Sequence, residues 1–321
     1  MQQLLSLLSD GKFHSGEALA EVMGCTRSAV WKQVDKLRQV TGLTVDAVSG
    51  RGYRLRRPIE LLDSSKIEAA VVEQQLDWPD VFTLVASTES TNAMAQQALA
   101  EMTTKSASWL AEHQSAGRGR RGRVWQSPYG SNLYFSLAYR FALPIHQLAG
   151  LSLATGIVIA EVLKLAGLKT PQLKWPNDLY AEDKKLGGIL IEVSGEATAG
   201  AMAVIGVGIN IDHQSLDQAS IDQPITSLRE QQVAESRNVL AARLISAVIR
   251  MAKDFEQTGL KGFVDRWPEF DAFKDRRVAL TGPGVAHYGI CRGIAEDGGL
   301  RLETDSGEQV FYGGELSLRL G

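Results

Sequence analysis

Seven consecutive residues of this chain, Gly117 to Arg123, comprise four arginines and three glycines. A packed helix or strand cannot bury such a run, because each buried guanidinium would need a partner for its charge. Apolar stretches typical of strands stand on both sides, SASWLAEHQ before the run and NLYFSLAYRF after it. The run is therefore predicted to be a loop within a folded sheet domain.

The composition of this loop predicts an anion site. Glycines let backbone N–H groups approach a ligand closely, and guanidinium groups bind carboxylate or phosphate oxygens with paired hydrogen bonds. The candidate ligand-binding residues are Gly117, Arg118, Gly119 and Arg120. Because the arginines repel one another, we expect the loop to be mobile until an anion orders it. A nucleic-acid-binding Arg-Gly segment is the alternative, although Trp125 and the flanking strands favour a loop within a fold.

Other polar residues stand at the ends of predicted strands, where binding sites are commonly built. They are Ser90, Thr91 and Asn92 after VFTLVAS, Lys174, Asn177 and Asp178 in KWPND, and Lys185 and Gly188 in KKLGGIL. A lysine ahead of two glycines can hold a ligand oxygen as a point charge. The alternative structural roles are a helix N-cap, a turn and a hairpin edge, respectively. The glycine pair of GVGIN lacks a third glycine and a following helix, which argues against a dinucleotide site.

The N-terminal segment predicts a DNA-binding head. GEALAEVMG and RSAVWKQVDKLRQV read as short helices behind the N-caps Ser15 and Thr26, joined by a tight turn at Gly24, which is a helix-turn-helix pattern. The segment LTVDAVSGRGYRLRRP alternates like a hairpin and predicts a basic wing. The residues expected to face DNA bases and phosphates are Arg27, Ser28, Trp31, Lys32, Lys36, Arg51 and Arg54.

The charge distribution agrees with this head. Residues 1–57 hold 9 Lys and Arg against 5 Asp and Glu, whereas the whole chain has a net charge of −3. A basic head on an acidic body favours a polyanionic partner for the head. A protein-binding or oligomerisation module of the same shape remains the alternative.

The remaining pattern predicts an α+β protein with three domains. We expect a winged helix-turn-helix at 1–60, a mixed-sheet domain at 64–270, and a small β-barrel at 271–321, where short strands alternate with glycine turns. The apolar segment from Phe141 to Ala160 is interrupted by polar residues and predicts a buried helix, not a membrane span. Two distant cysteines and the absence of a signal-like N-terminus favour a cytoplasmic protein without a membrane partner.

Four segments, GRGRRGRVW, KWPNDLY, KLGGILIE and GVGIN, follow the predicted head in this order. Together they resemble the bacterial bifunctional biotin protein ligases that also repress the biotin operon. The resemblance covers essentially the whole chain. It implies a class II synthetase-like ligase domain, an SH3-like C-terminal barrel, and an enzyme that uses biotin and MgATP to form biotinyl-5′-AMP. The biotin then passes to one lysine of the biotin carboxyl carrier protein of acetyl-CoA carboxylase.

The same resemblance implies a role for each candidate residue. Ser90, Thr91, Asn92 and Gln114 would contact biotin, and the loop with Arg118 and Arg120 would close over the adenylate. Lys185 would reach the carboxyl and phosphate oxygens, and Gly188 would line the pocket with its backbone. Asp178 would bind Mg²⁺ or orient the incoming lysine. The residues expected to carry the chemistry are Arg118, Arg120, Asp178 and Lys185.

The family also implies regulation, with one departure. The adenylate would promote a homodimer whose two heads bind operator DNA. Repressor-type members carry a tryptophan before Ile-Thr after GIN, where this chain has Pro224 before Ile225 and Thr226, so that adenine contact is not implied here. Two alternatives stay open: a ligand-sensing transcription factor without catalysis, and a ligase whose head no longer binds DNA.

Overall fold

A computed structural model describes residues 2–195, 200–212, 216, 221, 223–282, 285–313 and 316–320. The helices are α1 (Gln2–Leu8), α2 (Gly16–Val22), α3 (Arg27–Thr41), α4 (Ser64–Glu73), α5 (Thr91–Ala98), α6 (Leu151–Leu165), α7 (Arg237–Thr258) and α8 (Trp267–Phe270). The strands are β1 (Val45–Val48), β2 (Gly52–Leu55), β3 (Val81–Val85), β4 (Ser106–Ala111), β5 (Leu133–Arg140), β6 (Pro171–Lys174), β7 (Asp178–Ala181), β8 (Lys184–Gly195), β9 (Ala201–Ile209), β10 (Arg277–Gly282), β11 (Val285–Ile294), β12 (Leu300–Thr304), β13 (Gly307–Phe311) and β14 (Ser317–Leu320). They form the predicted α+β fold of three parts.

The N-terminal part is a winged helix-turn-helix, as its sequence predicts. Ser15 Oγ and Thr26 Oγ1 accept hydrogen bonds from the backbone N–H groups of the first turns of α2 and α3, so both residues act as N-caps. Gly24 has a φ of +59° in the turn between these helices. Strands β1 and β2 pair antiparallel as the wing.

The central part is a seven-stranded sheet in the order β3-β4-β5-β9-β8-β7-β6. Only β3 and β4 run parallel, so the sheet is mixed, as expected for strands joined by short turns. Helices α6 and α7 cover one face with a continuous apolar core, and α5 covers part of the other face. Burial on both faces explains the nearly unbroken apolar sequences of β4, β5 and β9.

The α-helix within the apolar segment is shorter than the sequence predicts. A 3-10 turn at Ile145–Leu148 precedes α6, and Gly150, with a φ of +83°, separates the two. The 21-residue stretch Ile145–Leu165 is apolar and long enough to be a candidate span, and 67% of its most apolar window is buried inside the protein. The helix α6 itself has 15 residues and about 22 Å of length, which is short for a bilayer of about 30 Å.

The C-terminal part is a five-stranded antiparallel sheet in the order β13-β12-β11-β10-β14, of the predicted SH3-like kind. Val278, Leu280 and Leu302 belong to the same apolar core as the central domain. Trp175 Nε1 donates a hydrogen bond to the Gly298 carbonyl at 3.0 Å. The C-terminal sheet is therefore built onto the central domain and is not a separate core.

The segment that connects the head to the central domain contacts a buried ion pair of the central domain. Arg237, the first residue of α7, pairs with Glu112 at 3.0 Å, and each side chain is only 5% exposed. The backbone N–H of Leu62 donates to Glu112, and Arg237 donates to the carbonyl of Glu60. Tyr129 of the central domain belongs to the head's apolar core. Charge and packing together hold the connecting segment against the central domain.

Candidate functional site

A cavity of about 780 Å³ opens at one end of the central sheet. This volume is typical of sites that bind small molecules or nucleotides. The predicted site residues that line it are Ser90, Thr91, Asn92, Gln114, Arg118, Gly119, Arg120, Asp178, Lys185 and Gly188. The fold therefore brings together residues that are separated by almost 100 positions in the chain.

One end of the cavity is polar and nearly uncharged. The Thr91 backbone N–H and hydroxyl both donate to Gln114 Oε1, at 2.8 and 3.2 Å, and Gln114 Nε2 donates to Ser127 Oγ at 2.9 Å. Ser90 Oγ accepts from Ala93 N as the N-cap of α5, so the capping role holds for this residue, which also borders the cavity. This end can offer donors and acceptors to a polar, uncharged ring.

Two glycines of β9 make room for this arrangement. A Cβ on Gly206 would lie 2.0 Å from Asn92 Oδ1, and a Cβ on Gly208 would lie 2.7 Å from the Trp125 indole. Glycine inside a strand marks a close approach by another group. The two glycines therefore make room for the side chains of Asn92 and Trp125 beside the cavity. This packing role differs from that of a dinucleotide-binding motif, which has a third glycine and a following helix.

The Arg-Gly loop forms a narrow hairpin over the cavity. Backbone hydrogen bonds join Gly119 N to Arg123 O at 2.8 Å and Trp125 N to Gly117 O at 2.8 Å. Gly117 does not line the cavity; a Cβ there would lie 2.4 Å from the Trp125 carbonyl oxygen, so glycine is required by the hairpin itself. The expected mobility of the ligand-free loop stays a prediction.

The other end of the cavity is strongly charged. Asp178 Oδ1 pairs with Lys185 Nζ at 2.7 Å, and Asp178 Oδ2 lies 3.5 Å from Lys174 Nζ. Arg120 Nη1 donates to Asn177 Oδ1 at 3.0 Å. Burial lowers the pKa of Lys174 and that of Arg120, and in each case the nearby Asp178 carboxylate opposes the effect. Three cations beside one carboxylate leave net positive charge for an anionic ligand.

Two further segments reach this charged end: the segment around Pro224, where the family's adenine contact was not implied for this chain, and the C-terminal sheet, which was not predicted to be part of the site. The backbone of Lys185 pairs with the segment around Pro224: Lys185 N donates to Pro224 O, and Thr226 N donates to Lys185 O, each at 2.9 Å. In the C-terminal sheet, β14 contributes Ser317, Leu318 and Arg319 to the cavity wall. The C-terminal sheet therefore takes part in the site.

Asp178 is not part of a preformed metal cage. In the part of the chain that the structure describes, no group of three His, Cys, Asp or Glu side chains could hold a metal ion. Mg²⁺ that arrives with a nucleotide keeps its phosphate and water ligands and needs only one or two carboxylates. The single carboxylate of Asp178, beside an anion site, fits that kind of metal binding.

The predicted DNA-binding residues lie apart from the cavity, on the head. Arg27, Ser28, Trp31, Lys32 and Lys36 are all exposed on α3, opposite its buried apolar residues. In the wing, the guanidinium groups of Arg51 and Arg54 lie over the Phe13 ring at 4.1 and 4.5 Å. Asp46 pairs with Arg54 at 3.2 Å and with Arg56 at 2.9 Å. The cavity and the basic head are thus two separate candidate sites.

Comparison with known proteins agrees with this division. Three family models match: a helix-turn-helix domain at residues 1–54, the biotin/lipoate A/B protein ligase family at residues 84–210, and the biotin protein ligase C-terminal domain at residues 275–319. The structure is similar to that of a biotin protein ligase from Aquifex aeolicus in complex with biotin and ATP, with a TM-score of 0.63 and 25% identity; the match covers 75% of this chain and 100% of that one. The fold and site define a protein ligase of this class carrying a helix-turn-helix head.

The similarity to curated relatives extends over the full length. The chain is 43% identical to the bifunctional ligase/repressor BirA of Salmonella typhimurium over 316 residues, which cover 98% of this chain and 96% of the relative. It is 41% identical to the BirA protein of Escherichia coli over 317 residues, covering 99% and 96%. The chain belongs to the bifunctional ligase/repressor family.

Proposed function

We propose that the protein activates biotin with ATP to give biotinyl-5′-AMP and pyrophosphate, and then transfers biotin to a carrier-protein lysine. The observation that carries this proposal is the cavity, in which a neutral polar end adjoins a cluster of Lys174, Lys185 and Arg120. A biotin molecule has a neutral ureido ring at one end and a carboxylate at the other, which matches this order. The similar Aquifex aeolicus ligase is in complex with biotin and ATP.

The charged end suits the first step. The biotin carboxylate forms a bond to the α-phosphorus of ATP, the bond to the β-phosphate oxygen breaks, and pyrophosphate leaves. Two anions must approach each other, so Lys185, Arg118 and Arg120 would offset their repulsion and the charge developing at phosphorus. Mg²⁺ bound to the ATP phosphates would neutralise further charge, and Asp178 would supply its protein ligand.

The second step needs no nucleophile from the enzyme. The carrier lysine's ε-amine attacks the anhydride carbonyl, an amide forms, AMP leaves, and the amine gives up a proton. Asp178 would either bind Mg²⁺ in the first step or orient the incoming amine in this one; its pairs with the ammonium groups of Lys174 and Lys185 support the second role. We propose the biotin carboxyl carrier protein of acetyl-CoA carboxylase as the acceptor and the cytoplasm as the location.

We also propose that the adenylate promotes a homodimer that represses transcription of biotin synthesis genes through the head. In the described residues, no strand pairs with the outer edge of β8 from Ile191 to Gly195, because β7 pairs only as far as Gly188. An open edge supports self-complementary pairing of two copies. It lies beside Arg118, which pairs with Glu192 of β8 at 3.3 Å, so loop closure and dimerisation would be linked.

The decisive test is pyrophosphate exchange with biotin, lipoate and octanoate offered in turn. We expect exchange with biotin alone; no biotin-dependent exchange would leave the alternative of a ligand-sensing transcription factor. For repression, we expect operator DNA of the biotin operon to be shifted by the protein with biotin and ATP, with a steep salt dependence. Binding that is equal without biotin would contradict the corepressor role of the adenylate.

A further inference from the structure

Glu192 of β8 connects the polar end of the cavity with the loop above it, although it does not itself line the cavity. Its carboxylate Oε2 accepts a hydrogen bond from Asn92 Nδ2 at 2.8 Å. The same carboxylate pairs with Arg118 Nη2 of the Arg-Gly loop at 3.3 Å. One side chain thus contacts both the floor of the site and its cover.

This carboxylate fixes the orientation of the Asn92 amide. Ser136, fully buried beneath it, lies 2.5 Å from Asn92 Oδ1. A hydroxyl can donate or accept, so Ser136 alone would tolerate either orientation of the amide. The Leu190 carbonyl also accepts from Asn92 Nδ2, at 3.4 Å, which is the longer and weaker of the two contacts. An ionised carboxylate can only accept, and a flipped amide would set Oδ1 against Glu192. Glu192 therefore holds Nδ2 and leaves Oδ1 as the amide atom nearest to Gly206, a glycine that lines the cavity: a Cβ there would lie 2.0 Å from Oδ1 and 2.9 Å from Nδ2.

A continuous set of hydrogen bonds carries this constraint to the base of the loop. Ser136 Oγ also contacts Thr91 Oγ1 at 2.8 Å, and the Thr91 backbone N–H donates to Gln114 Oε1 at 2.8 Å. Gln114 donates to Ser127, whose hydroxyl donates to the Trp125 carbonyl at 3.1 Å. The loop is held at its base by this network and, one residue beyond Gly117, by the pair between Arg118 and Glu192.

We propose that Glu192 is a positioning residue that sets the specificity of the polar end. By fixing Asn92 it presents Oδ1 as an acceptor for an N–H group of a cyclic urea, and by holding Arg118 it keeps the loop closed over the same ligand. This inference rests on the proposed ligase function. It predicts that Glu192 governs biotin binding and adenylate retention, and that it acts on the chemical step only through Arg118, since Lys185, Asp178 and Arg120 have contacts of their own at the charged end.

The test compares Glu192→Gln and Glu192→Asp with a matched control, Glu161→Gln. Glu161 also pairs with an arginine, Arg266, at 2.7 Å with a similarly exposed side chain, but it lies on α6 away from the cavity. Since a charged hydrogen bond is lost, Glu192→Gln is expected to raise the KM for biotin about 10-fold or more and to speed adenylate release by a similar factor. The KM for ATP should stay within about 2-fold, and kcat of exchange should fall by a smaller factor than the KM for biotin rises, because Arg118 itself is still present.

Glu192→Asp keeps a group that only accepts, so its KM for biotin should lie between those of the wild type and Glu192→Gln. A purely structural role would instead lower Tm and the fraction of active enzyme without changing the KM of the active fraction, and this result would overturn the proposal. If Glu192→Gln does not fold, an unchanged KM in Glu192→Asp would overturn it and a KM raised at least about 3-fold would support it. Failure of the wild type to show biotin-dependent exchange would refute the ligase function instead.

Discussion

The wing of the head and the Arg-Gly loop of the cavity each contain arginines, and the partners of these arginines differ in charge and in burial. In the wing, Arg54 and Arg56 share the carboxylate of Asp46 at the surface, and their side chains are 40% and 63% exposed. In the loop, Arg120 is partly buried and donates to the neutral amide of Asn177. A surface ion pair exchanges with water at little cost, whereas a guanidinium in a cavity depends on its few fixed partners.

This difference predicts how each set responds to change. The wing arginines are held by an acid that an incoming phosphate can replace, so each should contribute a small, salt-dependent part of DNA binding. The loop arginines and Lys185 act where water is restricted, so each should contribute a large, specific part of ligand binding and catalysis. Substitutions at the two sites should therefore differ by one or more orders of magnitude.

The largest effect is expected for Lys185→Gln. Loss of the ammonium from the charged end should lower kcat/KM for biotin-dependent pyrophosphate exchange about 100- to 1000-fold, as for other single charge-stabilising groups. The matched control is Lys184→Gln: Lys184 is the preceding residue, but its side chain is 39% exposed and pairs with Glu230 at 2.9 Å, outside the cavity. The control should change kcat/KM less than about 3-fold. Equal losses in both variants would contradict a specific role for Lys185.

A smaller effect is expected for Arg120→Gly. Without the hydrogen bond to Asn177, the loop should open more readily, so the adenylate should leave about 10 to 100 times faster and label bystander lysines. Release of the adenylate and biotinylation of an added unrelated protein measure this directly. Arg121→Gly is the comparison within the loop: Arg121 also lines the cavity, but it is exposed and already has a φ of +61°, so its replacement should speed adenylate release less than that of Arg120. An unchanged release rate in Arg120→Gly would contradict the role of Arg120 as part of the cover.

On the head, Lys32→Gln should have a modest effect. Lys32 is exposed on α3, and the loss of one phosphate contact should weaken operator binding about 5-fold at 0.15 M salt and reduce the salt slope by about 1. Titration of labelled operator DNA at several salt concentrations measures both values. Lys66→Gln, an exposed lysine of α4 outside the head, should leave them unchanged. Pyrophosphate exchange should be normal in both variants; a loss of exchange in Lys32→Gln would show that the sites are not separate.

The sequence predicted the parts that are local in the chain. The head's caps, the mixed sheet and the family follow from short patterns, and the Arg-Gly loop and KWPND are dense enough in charge to mark a site. What it could not predict depends on pairing between distant segments. Arg319 reaches the cavity from β14, and Glu192 meets Asn92 across 100 positions. The start of α6 at Leu151 was not predicted either, because a single glycine such as Gly150 within an apolar segment does not define a helix boundary.

The smallest and most diagnostic effect concerns Asp46→Asn. Arg56 holds the pKa of Asp46 below its usual range, so the carboxylate is ionised at neutral pH and neutralises two wing guanidinium groups. Its removal should free them for phosphate and strengthen operator binding roughly 2- to 5-fold, with a steeper salt dependence. Asp35→Asn is the control: it removes the same charge from the head but frees Arg38, which also donates to the Val45 carbonyl. Equal gains in both variants would indicate only a general charge effect, and weaker binding in Asp46→Asn would show that Asp46 shapes the wing. Either result would contradict the difference between wing arginines whose surface ion pairs a phosphate can replace and a loop arginine held by partners in the cavity.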